Sequence, residues 1–68
     1  MTVDVVGTEW NGDWLFKFPG HAIKTKNQAI YEWLCEHSRV TALLPGLWAF
    51  DNVNLEELMQ KIELVEGA

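Results

Sequence analysis

The stretch Val3-Asp4-Val5-Val6-Gly7-Thr8-Glu9-Trp10-Asn11-Gly12-Asp13-Trp14-Leu15-Phe16-Lys17-Phe18 decides the fold. Asn11-Gly12 between two runs rich in β-branched and aromatic residues is the strongest short signal for a hairpin, because both central positions of a type I′ turn need positive φ. A two-residue turn sets Trp10 opposite Asp13. Alternation then puts Val3, Val5, Gly7, Trp14, Phe16 and Phe18 on one face, the core side. Val6, Trp10 and Leu15 fall on the other face with Asp4, Thr8, Asp13 and Lys17, which makes that face less polar than a fully solvated one and leaves room for something to cover it. Pro19-Gly20 ends the second strand, since proline cannot donate to a ladder and glycine permits a turn.

Downstream, Thr25 is placed to cap a helix over about residues 26–37, with Gln28 in the capping-box position and Ala29, Ile30, Trp33 and Leu34 at helical spacing. A second helix follows Asn54 as N-cap, with Glu57 at N3, acid in its first turn, and Val53 and Leu58 positioned as a hydrophobic staple. Its apolar stripe is Leu55, Leu58, Met59, Ile62 and Val65. Between the helices, Leu47 to Phe50 reads as a strand bounded by Gly46 and Asp51-Asn52. Residues 40–44 read as another strand or as a helical turn capped by Ser38. The expected architecture is α+β in the order β-β-α-β-β-α, both helices packed on one face of a small antiparallel sheet, with a three-stranded sheet as the alternative.

Sixty-eight residues allow one small domain, residues 1–68, and exclude a Rossmann core or an α/β barrel. With 49% hydrophobic residues and four tryptophans the chain is not disordered. One cysteine, Cys35, can form no internal disulfide, so a reducing, cytoplasmic setting is expected. No apolar run approaches the ~20 residues that cross a bilayer, and Met1-Thr2-Val3-Asp4 lacks the pattern of a signal peptide, so no membrane contact is expected. The net charge is −5, with acid gathered toward both ends and a short basic bridge of Lys17, Lys24 and Lys26 between them. That balance disfavours nucleic acid and anionic lipid.

No residue set points to catalysis. Cys35 and His37, two apart on a helix, project about 200° apart and do not converge on an ion with or without His21, so no metal or cofactor is expected. Ser38 is the only serine and has no nucleophile elbow around it, so a triad with His37 and Asp51 is not supported. Glu32/Glu36 and Glu56/Glu57 read as solvated helix faces rather than as acid-base pairs facing across a cleft. Lysines interleaved with Phe16 and Phe18 can bind single strands, but both phenylalanines share the core face with Trp14. A winged-helix arrangement of helix 26–37 and hairpin 40–50 would present Glu32 and Glu36 to a negatively charged groove.

The large rings are the remaining feature: Trp10, Trp14, Trp33, Trp48, Tyr31 and three phenylalanines exceed what so small a core is expected to enclose. Trp10, beside the turn on the non-core face, is the first candidate for an exposed anchor, and Tyr31, off the Ile30/Leu34 stripe, is the second. With Glu32, Glu36, Glu56 and Glu57 they form a set of candidate partner-binding residues suited to a basic protein surface. In composition, though in no matched residue, the chain is similar to small phage-encoded inhibitors of host proteins, anti-CRISPR proteins among them. The expected function is a non-enzymatic protein-binding module, an inhibitor or adaptor that occupies a partner's surface. The alternatives are a homo-oligomeric assembly subunit and a small nucleic-acid-binding domain.

Overall fold

The computed structural model describes residues 1–67 and contains five strands and two helices. They are β1 (Thr2–Trp10), β2 (Asp13–Phe18), β3 (His21–Thr25), α1 (Ala29–His37), β4 (Arg39–Leu44), β5 (Leu47–Asn54) and α2 (Leu55–Glu66). The strands form one antiparallel sheet in the order β3-β2-β1-β5-β4, and both helices pack on the same face of it. The fold is α+β as expected, with one strand more: β-β-β-α-β-β-α.

The first hairpin has the register that its turn dictates. Asn11 (φ 51°) and Gly12 (φ 83°) both lie in the left-handed region, and Trp10 pairs with Asp13, Thr8 with Leu15 and Val6 with Lys17. Val5, Trp14, Phe16 and Phe18 are buried on the helix side. Pro19-Gly20 ends β2 at Phe18 as expected, but it turns the chain back into a further strand that the sequence reading did not place. Proline followed by a glycine at φ 80° matches a type II turn, which returns the chain as β3 and sets His21 against Phe18 and Ile23 against Phe16. Pro45-Gly46 repeats the device between β4 and β5, so residues 40–44 are a strand and not a helical turn.

The extra strand moves the start of α1. Thr25 is paired with Trp14 in the sheet and is buried, so it cannot serve as the helix cap that sequence spacing suggests. Its hydroxyl accepts instead from the Asn27 N–H at 3.0 Å, and the Asn27 side chain accepts from the Ala29 N–H at 2.9 Å. The helix therefore begins at Ala29, and Gln28 at its cap position makes no side-chain capping bond. Its far end falls at His37 as expected, where the Ser38 hydroxyl donates to the Leu34 carbonyl. For α2 the sequence signals hold. The Asn54 side chain accepts from the Glu57 N–H at 3.0 Å, and Val53 and Leu58 are both buried.

Strand β5 runs past Asp51-Asn52 to Asn54 because a bulge carries it through. Val3 pairs with Val53 and Val5 with Phe50, so β5 spends three residues where β1 spends two. Asn52 takes the positive φ (56°) this requires, and its N–H donates to the Asp4 carboxylate at 3.3 Å. The bulge shifts the alternation by one residue, and Phe50 and Val53 therefore both face the core despite their odd spacing.

The core consists of Val5, Trp14, Phe16, Phe18, Ile30, Leu34, Phe50, Val53 and Leu58, and it owes its shape to Gly7. Gly7 lies on the central strand, between Phe16 of β2 and Trp48 of β5. A Cβ there would stand 2.9 Å from a Phe50 ring carbon and 3.0 Å from one of Phe16, so the rings close over the strand where a side chain would otherwise project. Trp14 then stacks on Tyr31 (4.4 Å between centroids) and lies 5.2 Å from Trp48. This arrangement takes in most of the ring surplus: Trp14 is buried, Trp33, Trp48 and Tyr31 are half-buried, and Trp10 stays outside.

Two glycines are expected to fail on substitution for different reasons. Gly7→Ala overpacks the rings and should cost about 1–3 kcal/mol. Gly12→Val meets nothing within 4 Å but must hold φ near 83°, and should cost about 1 kcal/mol or more. Urea unfolding of the two variants against the parent checks both; an unchanged midpoint for Gly7→Ala would mean that the rings do not close over that position.

Candidate functional site

The face of the sheet away from the helices carries no layer of secondary structure among the described residues. Alternation places Val6, Thr8 and Trp10 of β1 on it, beside Leu15 and Lys17 of β2, and the register adds Lys24 of β3, Leu47 and Ala49 of β5, and Leu44 of β4. Trp10 is 75% exposed and Leu44 64%. The Asn11-Gly12 and Pro45-Gly46 turns lie at the same end of the sheet, tied by the Glu9 N–H donating to the Gly46 carbonyl at 2.9 Å. Trp10, Leu15, Leu47 and Leu44 are thereby gathered into one apolar end of the open face. A shallow groove of about 250 Å³ lies there, lined by Thr8, Trp10, Asp13, Leu15 and Lys24 among others.

The charge beside this groove is one ion pair and one further lysine. Lys26 reaches across from the end of β3 to the Asp13 carboxylate at 2.8 Å, and Lys24 lies over Leu15 in the register. The hydrogen bond from Lys26 holds the Asp13 carboxyl below its usual range, partial loss of water opposes this, and the positive charges of Lys26 and Lys24 add to the lowering.

The other sequence candidates do not join Trp10. Tyr31 is half-buried rather than exposed, because its ring stacks on Trp14 and meets Trp48 and the edge of Phe50. The neighbouring Cys35 thiol, together with burial, raises its hydroxyl above the usual phenol range. Glu32, Glu36, Glu56 and Glu57 are all exposed, but they belong to α1 and α2, across the sheet from Trp10. Glu56 accepts from the Met1 ammonium at 3.4 Å. Its own backbone N–H, in the open first turn of α2, and then that ammonium hold its carboxyl below the usual range. Glu57 borders a second groove of about 210 Å³ between the helices with Trp33, His37, Gln60, Lys61 and Leu64. The anchor and the carboxylates are therefore two surfaces and not one.

The remaining chemistry-bearing residues have structural partners. His37 stacks on Trp33 with Nδ1 3.0 Å from the Trp33 carbonyl, and His21 stacks on Phe18. Cys35 is half-buried against the core. Among the described residues no three His, Cys, Asp or Glu side chains gather where they could hold a metal ion. Phe16 and Phe18 are buried, so neither is free to stack a base. No helix is long and apolar enough to cross a membrane. Leu44, Leu47 and Lys24 were not legible as site residues without the two Pro-Gly hairpins, which bring them to the face of Trp10.

Two measurements test this arrangement. Trp10→Ala should leave the fold intact, moving unfolding by no more than about 0.5 kcal/mol, because the indole buries little. Since the folded Asp13 carboxyl titrates below its unfolded value, its small contribution to stability is complete above the unfolded value and lost as pH falls through the folded one. An NMR titration should show the Asp13 pKa rising in Lys26→Ala, and no change would mean that the ion pair is absent in solution. No protein-family model, curated protein or solved structure matches the chain, so its kinship is not what points to its function.

Proposed function

We propose that the chain is a non-enzymatic protein-binding module of the cytoplasm, an inhibitor or adaptor that acts by occupying a partner's surface with the open face of its sheet. The observation that carries this reading is Trp10: a large, rigid ring 75% exposed, beside Leu15 and at the same apolar end of the sheet as Leu44 and Leu47, on a face that no element covers among the described residues. Tryptophan is enriched among binding anchors, giving a wide contact for little loss of side-chain freedom. Lys24 borders the groove beside the ring and Lys17 lies farther along the same face, opposite Val6, which favours a partner with an apolar pocket for the indole and a neutral or acidic rim. A basic partner surface would meet the helix-borne carboxylates instead. The composition shared with small phage-encoded inhibitors, which work by surface occupation, agrees with this mode of action.

Affinity capture from the native cytoplasm, run in parallel with variants, tests the reading. A partner held by the parent chain and by Glu32→Lys/Glu36→Lys, but weakened by about 2 kcal/mol or more in Trp10→Ala, supports docking through the open face. Loss of the partner with the glutamate reversals and not with Trp10→Ala would move the docking surface to the helices. Titration of labelled single- and double-stranded DNA and RNA at about 50 mM salt addresses the competing class. Micromolar binding abolished by changing Lys17, Lys24 and Lys26 to alanine would replace the protein-docking reading.

A further inference from the structure

The two edges of the sheet are built differently. β3 is five residues long and carries Lys24 near its middle, and charge on a short strand is what keeps an edge from pairing. β4 has no such guard over Val40-Thr41-Ala42-Leu43-Leu44. Every residue of β4 is exposed, with Val40 39% and Leu43 52% open to water, and only β5 pairs with it. Its single charge, Arg39, sits at the start of the strand opposite Asp51 of β5. The one irregularity, the extra residue at Leu43, lies toward the Pro45-Gly46 turn and leaves Arg39 to Ala42 in regular register.

We infer that β4 pairs antiparallel with β4 of a second copy of this chain, about a two-fold axis normal to the sheet and close to Thr41. The strand is complementary to itself in that register. Thr41 faces Thr41 and Val40 faces Ala42 within the regular stretch, and each Arg39 lies at the level of the partner's bulge, so apolar and β-branched residues meet and like charges do not. Electrostatics permit the approach, because the acid that gives the chain its −5 lies on the helices and on other strands, with none on β4. A partner strand with alternating charges would leave those charges over Val40 and Leu43 without a counter-ion. The pairing makes a continuous ten-stranded sheet with both helix layers on one side. Trp10, on β1 two strands in from this edge, stays free on both copies.

The test is the mass of the purified chain by sedimentation or light scattering from about 1 μM to about 1 mM, the range in which a small, strand-mediated contact is read. The mass should rise from 7.8 kDa toward twice that value. Thr41→Lys and Thr41→Glu should each weaken self-association at least about tenfold by setting like charges face to face, and an equimolar mixture of the two should restore the pair. Ala42→Lys takes their place if either fails to fold by circular dichroism. Trp10→Ala should leave self-association unchanged, which separates this inference from docking through the open face. A mass of one chain across the whole range would overturn the inference, as would a pair that survives the charge changes or disappears with Trp10→Ala.

Discussion

The missing side chain at Gly7 is what allows five strands and two short helices to enclose a core in so few residues. The central strand of a sheet normally lifts a side chain into the helix layer at every second position. At Gly7 it lifts none, and the rings of Phe16 and Phe50 occupy the space from either side. Trp14 and Trp48 close in from β2 and β5, Tyr31 descends from α1 onto Trp14, and the helices can lie near the sheet. Ring contacts of this kind add about 0.5–1.5 kcal/mol each beyond the area they bury, which matters in a domain whose surface is large for its volume. The ring-rich composition is thus mostly a packing solution, and Trp10 stands out because the packing does not use it.

Most of the fold was legible where turn chemistry and alternation act together. Asn11-Gly12 set a register that the structure reproduces pair by pair from Trp10/Asp13 onward. Asn54, Val53 and Leu58 marked the start of α2 because capping is a local interaction. What was missed depended on partners far away in sequence. His21 to Thr25 is a strand only because β2 offers it an edge, and Thr25, an acceptable helix cap in isolation, is claimed by its pairing with Trp14. Asp51-Asn52 carries the residues of a strand end, yet the Asp4 carboxylate across the ladder stabilises a bulge there and the strand continues. In each case a long-range pairing overrode a local preference.

The same division applies to the candidate site. The exposure of Trp10 followed from parity alone, since a two-residue turn fixes which face each neighbour takes. Tyr31 could not be placed that way, because its burial depends on the gap above Gly7, which is a property of three strands and a helix together. The glutamates were correctly read as exposed, but exposure does not tell which side of a sheet a helix covers. Only the topology separates Glu32, Glu36, Glu56 and Glu57 from Trp10, and only the Pro45-Gly46 return, with β5 paired to β1, brings Leu44 and Leu47 toward it.

The unequal edges also set a limit on growth. A sheet open at both ends can add neighbours without stopping and so tends toward fibres, whereas this one has a receptive strand at β4 and a charged one at β3. With β4 pairing as inferred, its valence is one: a strand that docks on β4 uses up that edge, and a two-fold pair consumes it on both members. On the inferred pairing, Lys24 on the edge remote from β4 acts as a terminator of assembly, and its replacement by an apolar residue would turn a self-limiting contact into an open-ended one.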